Sequence, residues 1–368
     1  IYIHHNYIDL ERLIKINFIM PFKARRPMGG FKIMYEYANR LYDLGYSVHI
    51  TYPLKTKYME YRLPYLIRKV LTYLEGFRTS RWFIFRNGIT MSYVDAICDK
   101  EVMDSDVVIA TWWSTALDMG KLHLSKGKKI NLIQGYENWI GHIDELHSSY
   151  NMSDTTNIVV ASYLQNIVNN YTTNLTYLIP NAIDSDKFQI TTPIKDRNPY
   201  SVCMMYSVQE IKGSQYGLDA LYGLKTKYPQ LQVDLFGICS KPEGLPEWIR
   251  FYRDPEDIAG LFNRNSIFIA NSLTEGMALT PMEAMFCGCA CVLTDIEGHS
   301  EYGIDNNTAL LYQAKNTNEL MGKLEIILSN DDLRLSIAVK GNEYIQQFSW
   351  NIAVDKICLL YTSPSPRD

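Results

Sequence analysis

The sequence predicts an α/β protein with two doubly wound, Rossmann-like domains that face each other across a cleft. Three observations lead to this fold class: short apolar segments recur along the chain, helical patterns separate them, and they are numerous enough for two sheets. A length of 368 residues leaves room for two domains of ordinary size. Ligands of such folds usually bind outside the carboxyl ends of the strands, so we expect the functional residues there.

The apolar segments are typical of parallel strands buried on both faces, because several are nearly continuous in valine, isoleucine, leucine and phenylalanine. The expected strands are 16–22, 47–52, 106–111, 129–134, 157–161 and 175–179, then 201–206, 232–236, 248–252, 266–270 and 290–293. The expected helices are 31–44, 215–227, 255–264, 281–286, 317–328 and 331–348. Gly45 is the expected stop of the first helix.

The turn-rich stretch 180–199 is the expected boundary between the domains. It divides the chain into an N-terminal Rossmann-like domain at 1–185, a C-terminal one at 186–350 and a tail at 351–368. Ile1 indicates that the natural N-terminus is missing. The closing run 361–368 has no periodicity and is interpreted as a linker or a non-native end.

Composition narrows the classes of partner. The formal net charge is -4, which gives no electrostatic reason to expect nucleic acid. No apolar run is long enough for a membrane span. The segment 61–81 mixes apolar and basic residues, so it is either a basic amphipathic helix on a membrane surface or a solvated helix or lid.

The seven cysteines are widely spread, apart from Cys287, Cys289 and Cys291, and favour a reducing cytoplasm over a disulfide scaffold. We interpret these three as buried small apolar residues, not metal ligands.

Two glycine-containing turns after predicted strands are candidates for binding an anion. Gly29 and Gly30 open the first helix, where a bare backbone and free N–H groups suit an anionic ligand; the alternative is an ordinary turn, since no G-x-G-x-x-G fingerprint is present. Lys212 and Gly213 lie between a strand and a helix. An ammonium beside backbone donors suits a diphosphate, and the alternative is an exposed loop lysine.

The stretch from Glu275 to Glu283 carries the strongest chemical signal. Glu275 lies in a loop directly after a buried strand, and nothing local explains a carboxylate there. Glu283 has a structural alternative, because Thr280-Pro281-Met282-Glu283 fits a capping box with Thr280 at the N-cap. One carboxylate on the loop and one on the first helical turn can hold hydroxyl groups at separate points of one ligand.

The pattern E-x7-E, preceded by S-x-x and followed by A-M-x-C-G, is similar to the signature of glycosyltransferase family 4 (glycosyl transferases group 1), retaining enzymes of the GT-B fold. The match continues at 29–30, 44–48, 179–184, 212–213 and 292–301, and spans about residues 16–350, most densely in the second half. The resemblance implies a retaining transferase that moves a hexosyl or deoxyhexosyl group from a nucleotide-diphosphate sugar to an acceptor hydroxyl. It also implies a role in the biosynthesis of cell-surface polysaccharide or glycan.

The resemblance further implies an acceptor-binding N-terminal domain and a donor-binding C-terminal domain. The acceptor would be a glycan, a lipid-linked molecule or another hydroxyl compound, and no nucleic acid, metal or other cofactor is expected. The expected location is cytoplasmic, either free or in peripheral contact with the inner face of the membrane.

Roles follow position by position from the resemblance. Glu275 would hold hydroxyls of the donor sugar, Glu283 would hold the ribose, and Lys212 would neutralise charge on the leaving diphosphate. The other implied donor-binding positions are Gly29, Gly30, Ser207, Gly213, Gly237, Arg253, Gly276, Met277, Ala278 and Leu279. Backbone donors at 277–279 would position the sugar, and the loops around 237 and 253–254 would frame the base.

Two positions depart from the family pattern. An arginine usually stands where this chain has Ser207, which removes a bidentate phosphate donor. The candidate replacements are Arg25, Arg26, Arg253 and Arg264. The usual His-Asp is replaced by Gln134-Gly-Tyr136-Glu137, which is similar to rhamnosyltransferase-like members. Tyr136 and Glu137 are therefore candidates on the acceptor or sugar side, with Glu137 as a catalytic candidate, and the alternative is a polar strand end. A donor-binding protein without transferase activity and a nucleotide-sugar epimerase stay open as alternative functions.

Overall fold

The computed structural model describes residues 13–75, 82–138 and 141–362. Contacts between residues divide the chain into two units: unit 1 is Ile1–Ile179 with Val354–Asp368, and unit 2 is Pro180–Ala353. The sequence-based division fell between residues 185 and 186. Parts of two predictions, 76–81 of the basic segment and 363–368 of the closing run, lie outside the described residues.

Unit 1 contains a sheet of seven strands that pair in parallel throughout. The strands are β1 Lys15–Ile19, β2 Ser47–Pro53, β3 Thr90–Val94, β4 Val107–Ala110, β5 Lys128–Ile133, β6 Thr155–Val159 and β7 Thr176–Leu178. The spatial order is β3-β2-β1-β4-β5-β6-β7. The helices are α1 Gly29–Asp43, α2 Tyr65–Glu75, α3 Trp113–Gly120, α4 Ile143–Ser148 and α5 Ser162–Asn169.

Unit 2 repeats this plan with a six-stranded parallel sheet. Its strands are β8 Ser201–Met205, β9 Gln232–Gly237, β10 Ile249–Arg253, β11 Ile267–Ala270, β12 Ala290–Thr294 and β13 Ala309–Tyr312, in the order β10-β9-β8-β11-β12-β13. The helices are α6 Ser214–Lys225, α7 Ile258–Asn263, α8 Leu279–Phe286, α9 Thr317–Ser329 and α10 Asp331–Ile345. A last helix, α11 Trp350–Thr362, begins in unit 2 and continues into unit 1 from Val354 onward. Both orders are those of a doubly wound Rossmann sheet, so the predicted fold class is confirmed.

The two sheets form because their strands are apolar on both faces and their helices are apolar on one. β4 and β11 are buried at every residue. In unit 2 the core joins strand residues such as Val202, Val233 and Ile269 to helix residues such as Leu221 and Leu324. Burial of this kind stabilises by roughly 25 cal/mol per Å² of apolar surface. Within the described residues, every helix is too short or too polar to cross a bilayer.

The predicted capping box at the start of α8 is wrong. The helix begins at Leu279, and its N-cap is Ala278, whose side chain makes no capping hydrogen bond. Thr280 and Pro281 therefore lie inside the first turn. Proline is tolerated there because the first backbone N–H groups of a helix have no partner within the helix, so Pro281 did not fix which residue of that turn comes first.

Residues 350–362, most of which the sequence suggested as a tail, form helix α11. Ala353, Val354 and Ile357 are buried, and Lys128 donates a hydrogen bond to the carbonyl oxygen of Leu360. The residues from Val354 onward belong to unit 1. Their helical spacing of apolar residues marks α11 as a structural element of the fold.

Candidate functional site

The strand orders locate one switch point in each sheet, between β1 and β4 in unit 1 and between β8 and β11 in unit 2. On either side of such a point the connections leave in opposite directions, which opens a crevice at the carboxyl ends of the two strands. The predicted site residues follow strands at these edges.

In unit 2, Lys212 and Glu275 meet at the switch point. Lys212 follows β8, Glu275 follows β11, and the lysine Nζ donates to Glu275 Oε1 at 2.5 Å. The two side chains retain 25% and 17% of their accessible surface, so the pair is open to a ligand. A charge-assisted contact between groups 63 positions apart requires that the two loops be held together.

Backbone contacts fix these loops. Leu273 N–H donates to the carbonyl oxygen of Ile211 at 2.8 Å. Gly213 has φ +60, and a Cβ there would lie 2.0 Å from the carbonyl oxygen of Asn271. Only glycine allows both this left-handed backbone and this approach, which explains the lysine–glycine pair in structural terms as well as chemical ones.

Ser272 is a site residue that the sequence did not single out. Its hydroxyl donates to Glu275 Oε1 at 2.7 Å, so this oxygen accepts from both Ser272 and Lys212. The Ser272 carbonyl oxygen in turn accepts from Thr294 Oγ1 at 2.7 Å. The serine of the S-x-x-E pattern was visible in the sequence, but its partner was not.

The loop after β12 supports Glu275 from the other side. A Cβ on Gly298 would lie 2.6 Å from the Glu275 carbonyl oxygen, so glycine is needed for this close packing. The next residue, His299, is buried, and burial lowers the pKa of its imidazole below the usual value. Its Nδ1 lies 2.8 Å from the carbonyl oxygen of Thr294, which indicates a neutral ring that donates there.

The segment between the two glutamates is less open than expected. Met277 and Ala278 are buried, and the Ala278 N–H donates to the carbonyl oxygen of Gly298 at 3.2 Å. That N–H is therefore paired within the protein in this structure. Asn181 Nδ2 donates to the carbonyl oxygen of Met277 at 3.0 Å and holds the segment in place. Gly276 and Leu279 are partly exposed on either side.

The remaining unit 2 candidates lie at the same edge of the sheet. Gly237 and Arg253 end β9 and β10 and pair with each other in register. Ser207 follows β8, and its N–H donates to Ser214 Oγ at 2.9 Å. Glu283 is buried on α8, with 5% of its surface exposed. Arg253, which is exposed, is the candidate arginine at the end of a strand on this edge, whereas Arg264 follows α7.

In unit 1, Gly29 and Gly30 open α1 after β1, as predicted. Gln134, at the end of β5, donates from Nε2 to the carbonyl oxygen of Gly30 at 3.0 Å and to Thr111 Oγ1 at 3.0 Å. The Gln134 side chain thus joins the end of β5 to Thr111, directly after β4, and to Gly30, in the first turn of the helix that follows β1. The backbone of the glycine turn is close to this polar group, in the place where the sequence predicted an anion.

Glu137 lies in a pocket of unit 1 between the loops after β4 and β5 and the end of α4. Its Oε2 accepts from the backbone N–H of Trp113, the first residue of α3, at 3.2 Å. Burial raises the pKa of this carboxyl to about 7, and the N–H from Trp113 opposes that shift. A carboxyl group that titrates near neutrality is typical of functional sites.

The pocket also contains buried donors without a partner. Tyr150 Oη and Trp113 Nε1 have no hydrogen-bond partner among the described residues. Each such group costs on the order of 1–3 kcal/mol of folding free energy. Trp112, which precedes α3 and lines the same pocket, has φ 73, a backbone conformation that is rare outside glycine. Unpartnered donors and a strained backbone in one place make this pocket a candidate functional site.

Sequence reasoning missed Trp113 and Tyr150. For Trp113 the sequence did contain a signal, because two adjacent tryptophans follow a buried strand. For Tyr150 the sequence contained no such signal, because this residue reaches the pocket only through the packing of α4. Tyr136, the other candidate of this loop, contacts His147 Nε2 through its hydroxyl at 3.0 Å.

Within the described ranges, no cluster of three or more histidine, cysteine, aspartate or glutamate side chains is arranged to hold a metal. Cys287, Cys289 and Cys291 are buried, and burial raises the pKa of each thiol. The two carboxylates of Asp104-Ser-Asp106 lie before β4, at the amino edge of the sheet, whereas the candidate residues lie at the carboxyl edge. Asp104 pairs there with Lys126 at 2.7 Å.

Comparison with known proteins identifies the domain around this site. Residues 187–344 match the family model for glycosyl transferases group 1. Unit 2 thus contains a glycosyl transferases group 1 domain. The resemblance found from the E-x7-E pattern is confirmed at this level.

Relatives extend the likeness over both units. The chain is 23% identical over 345 residues to the N,N'-diacetylbacillosaminyl-diphospho-undecaprenol alpha-1,3-N-acetylgalactosaminyltransferase of Campylobacter jejuni, covering 89% of this chain and 88% of that protein. It is 27% identical over 106 residues to an uncharacterized glycosyltransferase of Methanocaldococcus jannaschii, covering 29% of this chain and only 30% of that relative. The crystal structure of Anabaena HepE in complex with UDP superposes with a TM-score of 0.72 at 15% identity, covering 95% of this chain and 100% of that one. The fold is therefore that of GT-B glycosyltransferases.

Proposed function

We propose that this protein is a retaining glycosyltransferase of family 4. It moves a hexosyl or deoxyhexosyl group from a nucleotide-diphosphate sugar to an acceptor hydroxyl in the biosynthesis of a cell-surface polysaccharide or glycan. The observation that carries the proposal is the contact between Lys212 and Glu275 at the switch point of the group 1 domain. A cation for a diphosphate and a carboxylate for sugar hydroxyls are thereby within reach of one ligand.

In the proposed reaction the bond between the anomeric carbon and the diphosphate oxygen breaks, and a bond to the acceptor oxygen forms on the same face. The acceptor proton goes to the leaving phosphate oxygen, so no protein nucleophile and no metal are needed. Lys212 turns from Glu275 to the diphosphate and stabilises the developing charge, while Glu275 turns to the sugar hydroxyls. Electrostatic stabilisation of this kind is usually the largest single contribution to catalysis.

A uridine nucleotide is the first donor to test, because the superposed HepE structure contains UDP. Ser207, Gly213, Gly237 and Arg253 follow or end strands at the carboxyl edge of the sheet, and this is where the proposal puts the nucleotide. Arg253 is the proposed substitute for the arginine missing at Ser207, since it ends a strand at that edge.

The proposed acceptor is lipid-linked or another membrane-associated glycan, and the protein contacts the cytoplasmic membrane face through α2. Leu66, Val70 and Leu74 repeat every fourth residue on that helix and are 72%, 58% and 78% exposed. An apolar helix face of this kind favours a lipid surface over a purely solvated helix or a polar lid. Exposed Lys55 and Arg62 near the helix add charge complementarity to anionic lipid.

A thermal-shift panel of nucleotide sugars tests the proposal directly. A donor at one hundred times its dissociation constant adds about 2.7 kcal/mol of stability. Transfer with the stabilising donor is then measured for Glu275→Gln, which we expect to lose on the order of 10²-fold in rate with an unchanged melting temperature. Glu243→Gln, an exposed glutamate of the same unit, is the matched control.

The outcomes separate the alternatives. Binding without transfer in the unchanged protein indicates a donor-binding protein. Release of an epimerised sugar indicates an epimerase. If no uridine, guanosine, thymidine or adenosine diphosphate sugar stabilises the protein, the proposed function is wrong.

A further inference from the structure

His299, in the loop after β12, is a buried histidine that the proposed reaction does not use. Its side chain is 1% exposed, and its Nδ1 lies 2.8 Å from the carbonyl oxygen of Thr294. A carbonyl oxygen can only accept, so in the neutral ring Nδ1 carries the proton and Nε2 is an acceptor. Nε2 has no hydrogen-bond partner among the described residues. A buried polar atom of this kind costs on the order of 1–3 kcal/mol, which the bond to Thr294 alone does not explain.

On one side, three successive hydrogen bonds connect the His299 ring to the carboxylate of Glu275. Thr294 accepts from the ring through its carbonyl oxygen, and it donates from Oγ1 to the carbonyl oxygen of Ser272 at 2.7 Å. The Ser272 hydroxyl donates to Glu275 Oε1, also at 2.7 Å. A shift of the end of β12 would therefore reach the group that contacts this carboxylate.

On the other side, the His299 ring packs against Tyr302, with the ring centroids 5.9 Å apart. Tyr302 is fully buried, and its hydroxyl donates to the carbonyl oxygen of Ala278 at 3.0 Å. Ser272 and Ala278 lie three residues before and three residues after Glu275. His299 thus lies between two attachments of the loop that carries this carboxylate.

Charge on the ring would act on the same carboxylate. Burial lowers the pKa of His299; among the described residues, the carboxylates of Glu275 and Asp295 oppose this shift and the ammonium of Lys212 adds to it. Asp295 is exposed and therefore screened by water, whereas the Glu275 side chain keeps only 17% of its accessible surface. An imidazolium would gain an N–H at Nε2 and would attract Glu275 in competition with Lys212 and with a ligand hydroxyl.

We propose that His299 is the positioning residue of Glu275: its neutral ring, donating to Thr294, holds the carboxylate where a ligand hydroxyl can reach it, and protonation of the ring withdraws the carboxylate. The inference rests on the proposed function, because the hydroxyl belongs to the nucleotide sugar. His299 touches no substrate in this scheme and acts through the loop that carries Glu275. Transfer therefore falls as the pH drops through the pKa of His299, which burial holds below the ordinary 6.5.

The coupling between the two side chains can be measured without any ligand. Imidazole ¹⁵N spectra of the labelled full chain, which has seven histidines, report the titration and the tautomer of each ring. His299→Asn assigns the signals of His299 by their loss, and we expect the tautomer with the proton on Nδ1. Glu275→Gln removes a charge that raises the pKa of His299, so the proton affinity of the ring should fall at least about twofold. The exposed Glu243→Gln should leave it unchanged. Equal titration of His299 in both variants overturns the proposal, as does a proton on Nε2.

The pH profile of transfer separates positioning from folding. The donor is UDP-glucose, or another nucleotide sugar if the thermal-shift panel selects one. His299→Asn places an amide N–H where Nδ1 was but cannot be protonated, so the fall in kcat/KM from roughly pH 6.5 to 5 should disappear while the rate at pH 8 is kept. His299→Leu also loses the bond to Thr294, so kcat/KM should be about tenfold lower at pH 8. His49→Asn is the control in unit 1, because both ring nitrogens of His49 have partners, Thr90 and Ser92, and this variant should keep the original profile.

The outcomes distinguish the inference from the proposed function. A His299→Asn protein that melts at the original temperature but keeps the fall in transfer at acid pH overturns the inference. If Glu275→Gln shifts the titration of His299 but no nucleotide sugar stabilises the protein, the proposed function fails and the coupling of the two side chains stands. If transfer occurs and His299 titrates independently of Glu275, the inference fails and the proposed function stands.

Discussion

At the scale of single residues, Lys212 and Glu275 act as one unit before any ligand binds. Their contact is partly exposed, and such ion pairs add only about 0–1 kcal/mol to stability. The contact therefore costs little to break, which suits two groups whose proposed partners are a diphosphate and sugar hydroxyls. The Ser272 hydroxyl donates to the same oxygen, so Glu275 has a second partner in addition to Lys212.

Glu137 makes the stability of the protein depend on pH. Its pKa in the folded state is about 7, above the ordinary 4.5, because burial penalises the charged form. Stability from this group is fully present below pH 4.5 and is lost as the pH rises through 7. Each pKa unit is worth about 1.4 kcal/mol, so the loss amounts to roughly 3 kcal/mol.

Glu137→Gln removes this dependence because the amide does not titrate. Urea unfolding of both proteins at pH 5, 6, 7 and 8 checks it: the variant should gain stability relative to the original protein as the pH rises. His49, His147 and His299, whose pKa values burial lowers, shift stability the opposite way, but they are present in both proteins and cancel in the difference. A difference that stays constant with pH would contradict the burial of an ionisable carboxyl here.

At the scale of elements, the start of α8 makes a prediction about capping. Because Ala278 is the N-cap, Thr280→Ala should change the free energy of unfolding by less than about 0.5 kcal/mol. Asn330→Ala is the comparison, since Asn330 caps α10 by accepting from the N–H of Leu333 at 3.0 Å, and its loss should cost about 1 kcal/mol. Chemical denaturation measures both. If both variants lost the same free energy of unfolding, the result would support a capping box with Thr280 at the N-cap of α8.

Helix α2 makes a prediction about membranes. Replacing Leu66 and Leu74 with serine should lower binding to phosphatidylglycerol vesicles by on the order of tenfold per leucine, because each buries an apolar side chain in the lipid. Vesicle flotation measures the fraction of protein bound to the vesicles. Parallel measurements with phosphatidylcholine vesicles and at high salt remove the electrostatic attraction between the protein and anionic lipid. Leu124→Ser, at a leucine 67% exposed elsewhere in unit 1, is the control. A double variant that floats like the original protein would remove α2 from the membrane contact.

What the sequence could predict depended on how local the signal was. β4 and β11 are buried along their whole length, so their apolar runs were enough to predict them as strands. β3 is half-exposed at an edge and mixes polar with apolar residues. β13 has only four residues, and polar residues precede it in the sequence, so it did not stand out as an apolar run. Neither was predicted. At the site, Lys212 and Glu275 were found one by one, but their contact depends on the β8–β11 pairing, which no local pattern contains.

At the scale of the whole molecule, the chain leaves unit 1 after Ile179 and returns to it at Val354. Ile357 on α11 is fully buried, so Ile357→Ala should cost about 2–5 kcal/mol. The loss should be confined to unit 1, where hydrogen–deuterium exchange of peptides from β4 and β5 should quicken while β11 and β12 stay protected. Leu359→Ala, at a residue of the same helix that is 61% exposed, should change neither. Faster exchange in β11 and β12 after Ile357→Ala would show that α11 stabilises unit 2 as well, and would contradict the assignment of the returning segment to unit 1.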